Sequence, residues 1–456
     1  MSLFRDPPAS SIVCYGCGTV LDPKEPYPFR CPNAGDGADH VLRRVLDTSR
    51  LEFPRGESRE TNPFVRYRSL LHAYHLAQAA GMSDADFVTS VRELDAAVVA
   101  VDGHGFAETP FVSQPRLAEG IGLDGSLLVK DETVDVSGSH KARHLFGLLL
   151  HLDIVEKLGL TDPSRRRPLA IASCGNAALA AGVVASAGRR RLVVFVPADI
   201  DASIAERLSS LGAEVTICER EPGISGDPTY HHLQAAISEG AVPFTCQGNE
   251  NGLSIEGGET IGYEIIDWLA LSGSALDDIV IQVGGGALAS SVAAALGEGV
   301  AFGVFEQLPR FHTVQTTAAW PLKRAFDRVS PLVGGDSSPR AIDEVLHKAG
   351  RDRSSFMWPW ESTPHSVAHG ILDDETYDWL AVLQAMLVTG GRPVVVEEDQ
   401  LEGANRLARE LSGIDVDATG SAGLAGLTEL RRESALGRGE TSALLFTGRR
   451  RPPGRG

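Results

Sequence analysis

From residue 126 to about 305 the chain alternates short apolar runs with longer helical patterns. Residues 126–129, 169–172, 192–197, 214–218, 242–246 and 278–283 read as strands, each separated from the next by a helix. Strands spaced this way need crossover connections, which implies a mainly parallel sheet with helices on both faces. Upstream, residues 69–101 carry two helical patterns broken near Gly81-Met-Ser-Asp. Downstream, Val394-Val-Val and Ala443-Leu-Leu-Phe read as strands, and no internal repeat interrupts the pattern.

Three strand-to-helix junctions in this region carry chemistry. At the first, Lys130-Asp-Glu-Thr-Val-Asp-Val-Ser-Gly-Ser-His-Lys141-Ala-Arg143 runs from a strand into a helix over 144–151. The chain has six lysines among 42 basic residues, so a lysine at a helix mouth asks for a reason. An amine can form a Schiff base once desolvation lowers its pKa; a guanidinium cannot. Lys141 is the candidate, because Lys130 precedes Asp131-Glu132, whose negative charge would raise its pKa. At the second junction a strand meets Ser173-Cys-Gly-Asn-Ala177. Its Ser and Asn suit a helix cap, and its N–H groups suit a carboxylate or phosphate. At the third, Gly284-Gly-Gly-Ala-Leu288 follows a buried-type strand. Three glycines let the backbone approach an anion and aim its N–H groups at it.

Together and in this order, the segments resemble the pyridoxal-phosphate (PLP) enzymes of the tryptophan-synthase-β fold type, and among them threonine synthases. The family's Gly-Ser-Phe-Lys-Asp-Arg motif stands here as Gly138-Ser-His-Lys-Ala-Arg143, and its Ser-x-Gly-Asn loop as Ser173-Cys-Gly-Asn176. Its phosphate loop stands as Gly284-Gly-Gly-Ala-Leu288, and its late Thr-Gly as Thr447-Gly448. Ile255-Glu-Gly-Gly-Glu-Thr resembles the helix start of threonine synthases and threonine dehydratases.

The resemblance implies an α/β, two-domain fold type II enzyme. A large PLP-binding domain would be built from 49–135 and 247–448, with a small α/β domain at 136–246 inserted in it. Lys141 would carry the cofactor and move protons at the substrate's Cα. Gly284, Gly285, Gly286, Ala287 and Leu288 would hold the cofactor phosphate. Asn176 would lie near the cofactor's 3-hydroxyl, and Thr447 would offer a hydroxyl to the pyridine nitrogen. Ser173, Cys174, Gly175, Asn176 and Ala177 would bind the substrate carboxylate, with Arg143 the nearest cation for a substrate phosphate.

Departures from the pattern keep the reaction open. His140 replaces Phe, Lys141-Ala-Arg143 matches serine/threonine dehydratases, and Ala177 stands where threonine synthases carry Thr. The expected function is therefore a PLP-dependent lyase acting at Cβ or Cγ of an amino acid, threonine synthase-like on O-phosphohomoserine. The alternatives are a serine/threonine ammonia-lyase working by β-elimination and a non-catalytic regulatory protein that keeps the fold.

Residues 1–48 differ from the rest. Cys14-Tyr-Gly-Cys17, Cys31 and His40 offer four N/S ligands, so a zinc-ribbon-like module with a structural Zn is expected. Six cysteines in 456 residues, three of them isolated in apolar contexts, point to a reducing cytoplasm. The net charge of −18 argues against nucleic-acid and anionic-membrane partners. No stretch approaches the ~20 apolar residues of a span, and no signal-peptide core opens the chain. The expected partners are a small amino-acid substrate and a second copy of the chain in a homodimer. The tail 449–456 reads as disordered.

Overall fold

The computed structural model describes residues 3–35, 37–55, 60–219, 227–335 and 338–451. Two strands, β1 (Ser10–Cys14) and β2 (Leu42–Leu46), pair antiparallel to form the N-terminal module. Six strands make the larger sheet: β3 (Phe111–Ser113), β4 (Gly125–Asp131), β9 (Asp278–Gln282), β10 (Arg310–Thr316), β11 (Pro393–Val396) and β12 (Glu440–Phe446). Their order is β11-β10-β9-β12-β4-β3, and only β3 runs antiparallel. The smaller sheet, β7-β6-β5-β8, is wholly parallel. It is built from β5 (Leu169–Ala172), β6 (Leu192–Pro197), β7 (Glu214–Cys218) and β8 (Val242–Pro243).

Four helices position the site: α1 (Lys141–Lys157), α2 (Asn176–Ala187), α3 (Ser254–Ser272) and α4 (Ala287–Ala301). The central strands are buried along most of their length, polar residues included, because helices cover both faces and leave no wet side. All five residues of β9 are buried. α1 and α3 meet through glycine: a Cβ at Gly257 would lie 2.1 Å from the Arg143 carbonyl oxygen.

Two expectations need correction. The tail does not lose order at residue 449. Arg449 donates its N–H to the Gly138 carbonyl at 2.8 Å, and Arg450 does the same to Asp415 at 2.8 Å. Residues 452–456 lie outside the described residues. Arg143 is also not a substrate ligand. Its guanidinium is fully buried, and every nitrogen is committed. Nε donates to Glu132 (3.0 Å) and Asp135 (3.1 Å), Nη1 to Thr260 (3.1 Å) and Glu264 (2.6 Å), and Nη2 to Glu264 (3.2 Å). A planar five-donor fork suits this three-carboxylate cage. Among the described residues, no helix is long and apolar enough to cross a membrane.

Candidate active site

Lys141 begins α1, where the chain leaves a tight loop. Ser137 adopts φ +58 and Gly138 φ +71, and this left-handed pair turns the backbone into the helix. Lys141 is half-buried, and among the described residues its amine has no hydrogen-bond or ion-pair partner. Lys130 behaves differently. Its amine is fully buried, pairs with Glu264 and donates to the Thr109 carbonyl at 2.6 Å.

The chain after β12 forms one wall. Ser139 and Gly448 bridge antiparallel, and His140 Nδ1 lies 3.4 Å from the Thr447 carbonyl oxygen. Burial, with the Lys141 charge beside it, holds the His140 imidazole well below its usual range, so the ring is neutral. Thr447 Oγ1 accepts a 2.8 Å hydrogen bond from Gln282 Nε2, which also donates to the carbonyls of Gly420 (3.0 Å) and Leu445 (3.2 Å). Three oxygens around one nitrogen fix the Gln282 amide orientation. Thr447 is thus an acceptor toward Gln282, and its own hydrogen is free for another partner.

Gly284, Gly285 and Gly286 form the loop between β9 and α4, and Gly286 takes φ +101 at the helix start. The segment 371–378, which the sequence left without an assignment, packs onto this loop. A Cβ at Gly284 would lie 2.2 Å from Asp373 Oδ2, and one at Gly285 2.8 Å from the Tyr377 ring. Burial raises the Asp373 carboxyl to about 6, against the pull of the Lys141 charge and the Gly285 N–H. The Gly285 amide thus faces a carboxyl group, the kind of acceptor that a helix-start N–H favours. Burial pushes the Cys246 thiol up to about 11 against the pull of the Lys141 charge, and pushes Asp378, packed on Gly286 and Gly248, up to about 8.

The Ser173–Ala177 loop opens α2, and the Gly175 N–H faces Ser173 Oγ at 3.4 Å. Asn176 sits between Asp417 and Arg451. Contacts thus link Lys141 to the Gly284–Gly286 turn through Asp373, and the Thr447–Gly448 segment to both His140 and Asn176, while Arg143 is held by its own carboxylates. Asp373 and Asp417 escaped the sequence reading because nothing local in sequence ties them to the motifs; Gln282 and Arg451 stand two and three residues from Gly284 and Gly448 but carry no signal of their own there. A cavity of about 520 Å³ lies between β2, α3 and α4; Ile255, Glu256 and Glu259 line it, while Lys141, Asn176, Gly284–Leu288 and Thr447 do not.

In the N-terminal module Cys14, Cys17, Cys31 and His40 bring one ligand atom each to within 4.8 Å of one another. Cys17 and Cys31 sulfurs are 3.6 Å apart, and Cys14 Sγ is 3.5 Å from His40 Nδ1. A zinc tetrahedron with Zn–S of ~2.3 Å has edges of about 3.8 Å, so the four donors fit such an ion. Against a desolvation penalty, hydrogen bonds from Thr19 and Asn33 pull the Cys17 thiol down to about 5.

Parallel sheets, a lysine at a helix mouth and a glycine turn at a helix start define a PLP-binding protein of fold type II. A family model described as "Pyridoxal-phosphate dependent enzyme" matches residues 104–448, and the chain belongs to that family. It is similar to threonine synthase of Methanosarcina acetivorans, with 26% identity over 75% of this chain and 74% of the relative. It is likewise similar to threonine synthase of Methanocaldococcus jannaschii, with 22% identity over 75% and 74%. Among solved structures, maize serine racemase aligns with TM-score 0.59 at 18% identity, over 80% of this chain and 94% of that one. The processed form of threonine deaminase isoform 2 from Solanum lycopersicum aligns with TM-score 0.56 at 16% identity, over 81% and 91%. These two likenesses concern the fold.

Proposed function

We propose that the protein is a PLP-dependent lyase acting at Cβ or Cγ of an amino acid, threonine synthase-like on O-phosphohomoserine. The observation that carries this reading is the uncommitted Lys141 amine beside the Gly284–Gly286 turn and the Ser173–Asn176 loop. The curated relatives, named threonine synthase, support the choice of substrate. The N-terminal ribbon, a module common in threonine-synthase-like proteins, pulls the same way.

Lys141 would hold the cofactor through its amine and then carry a proton to or from the substrate's Cα. When bound, the cofactor supplies an electron sink for the carbanion at that carbon. The amides of Gly284, Gly285, Gly286, Ala287 and Leu288 would hold its phosphate. Thr447 would meet the ring nitrogen with a hydroxyl. A hydroxyl leaves that nitrogen neutral, which disfavours transamination relative to loss of a Cβ or Cγ substituent. Ser173–Ala177 would hold the substrate carboxylate on the first amides of α2. Zinc on Cys14, Cys17, Cys31 and His40 would be structural, because four protein ligands leave no open position. We further assign the protein to the cytoplasm, as a homodimer acting on a small amino acid.

One observation favours the ammonia-lyase alternative. Arg143 is spent inside the molecule and Ala177 has no hydroxyl, so neither supplies a side-chain donor for a substrate phosphate. Borohydride reduction followed by peptide mass spectrometry tests the core of the proposal. An adduct on Lys141 is expected; one on Lys130, or none, sinks it. An amino-acid panel read for phosphate and 2-oxoacid release then separates synthase from ammonia-lyase. Clean transamination throughout would defeat both, and no turnover at all would favour the regulatory alternative.

A further inference from the structure

The residues that follow β12 stitch two active-site loops together. Gly448 bridges to Ser139, and Arg449 donates its N–H to Gly138 at 2.8 Å. Arg451 then lays its guanidinium between the lysine loop and the loop before α2. Its Nη2 donates to the Ser137 carbonyl at 2.9 Å and to Asn176 Oδ1 at 3.1 Å, with Nε 3.4 Å from the same oxygen. On the other side of the amide, Asn176 Nδ2 faces Asp417 Oδ2 at 3.4 Å.

Asp417 is itself fixed. Its carboxylate accepts the Gly420 N–H at 2.5 Å, and its own N–H donates to the Gly448 carbonyl at 2.8 Å. Gly448 must lack a side chain: a Cβ there would lie 2.4 Å from Asp417 Oδ2 and 2.9 Å from Asn176 Nδ2. A cation on the amide oxygen and a carboxylate on the amide nitrogen select one of two orientations. The flipped amide would set oxygen against carboxylate and NH₂ against guanidinium. One Nδ2 hydrogen stays uncommitted, so at the head of α2 Asn176 offers a donor and not an acceptor. That suits an oxyanion.

We propose that Arg451 and Asp417 are positioning residues that lock Asn176 as a hydrogen-bond donor to an oxyanion of bound cofactor or substrate, and that Arg451 ties the lysine loop to the asparagine loop. The inference rests on the PLP reading above. His369 also lies close enough to influence the Asp417 carboxyl, so it belongs to the same charge cluster.

The test uses purified protein loaded with pyridoxal phosphate and follows the pH titration of the cofactor's visible absorption band. Asn176→Ala removes the donor and should raise the midpoint by about one pH unit. Arg451→Ala and Asp417→Asn should move it upward as well, by a smaller step, with cofactor stoichiometry kept. Arg451→Lys keeps the charge but loses the two-acceptor fork and should fall between wild type and Arg451→Ala. It also reports if Arg451→Ala fails to fold. Wild-type protein that takes up no cofactor overturns the functional reading and the inference together. A shift in Asn176→Ala with none in the Arg451 and Asp417 variants leaves the reading standing and overturns the inference. An unmoved midpoint in Asn176→Ala overturns the inference too.

Discussion

Asp373 is the residue whose placement most affects how the cleft loads. Its carboxylate faces the Gly285 N–H, and a Cβ at Gly284 would lie 2.2 Å from its Oδ2. On the proposed reading that these amides take the cofactor phosphate, an incoming dianion would have to displace or neutralise it. Removing a like charge a few Å from a phosphate is worth on the order of tenfold in affinity or more. Asp373→Asn is therefore expected to bind pyridoxal phosphate at least about tenfold more tightly in a fluorescence titration. Affinity in the wild type should also carry a component that weakens as pH rises through about 6, where Asp373 ionises. The phosphate's own ionisation is common to both proteins, so the difference between the two pH profiles is the quantity to read. Unchanged affinity in the variant would remove Asp373 from the loading step. Arg143 teaches the converse. In sequence it is two residues from Lys141; in space its partners are Glu132, Asp135 and Glu264. A guanidinium goes to the nearest desolvated carboxylates, and Glu264 comes from a different helix, invisible until the chain has folded.

Among the elements, the ribbon and its anchor define the clearest dependence. From β2, Arg44 reaches into the helical layer, where it meets Glu256 at 3.2 Å, Glu298 at 2.9 Å, and Glu259. Asp39 accepts a hydrogen bond from Trp379, adding a second tether. Breaking a buried pair of this kind costs about 3–5 kcal/mol, because the partner charges are left uncompensated. The ribbon is thus bound to the large sheet's helices and does not hang free. Metal analysis should find one zinc per chain, and chelation should lower the thermal midpoint, since ligand binding free energy here is folding free energy. No zinc, or a midpoint indifferent to chelator, would remove the metal from the account. Much at this scale was legible in the sequence. The strands at 192–197 and 214–218 appear as read, and the helices His72–Ala79 and Asp84–Asp102 flank the expected break. Runs of Val, Ile and Leu between glycine turns carry that signal locally. Segment 371–378 was not legible, because its order comes from packing on a glycine loop about ninety residues away and leaves no periodic trace.

For the molecule as a whole, buried titratable groups set the pH of greatest stability. Burial lowers the pKa of five histidines below 6.5: His72, His75, His140, His144 and His151. The unfolded chain binds more protons at those sites from about pH 4 to 6.5, so their contribution makes stability rise with pH. The buried acids act the other way. Glu298 is raised to about 7, and Glu256 and Asp378 to about 8, so the folded state holds protons the unfolded chain has released. Above pH 6.5 the histidine contribution levels off while these acids go on titrating, so the sum of the two groups should fall toward pH 8. Thermal midpoints across that range are expected to peak near 6.5, and a steady rise to pH 8 would contradict the assignment. The position of β12 has one more consequence. Residues 440–446 fill the gap between β9 and β4 in the middle of the larger sheet. A ribosome must deliver residue 446, more than 160 residues beyond β9, before that gap can close. Until then β4 and β9 expose unpaired edges to whatever chaperone attends the nascent polypeptide, and a prematurely terminated product would be left with an open sheet that marks it for degradation.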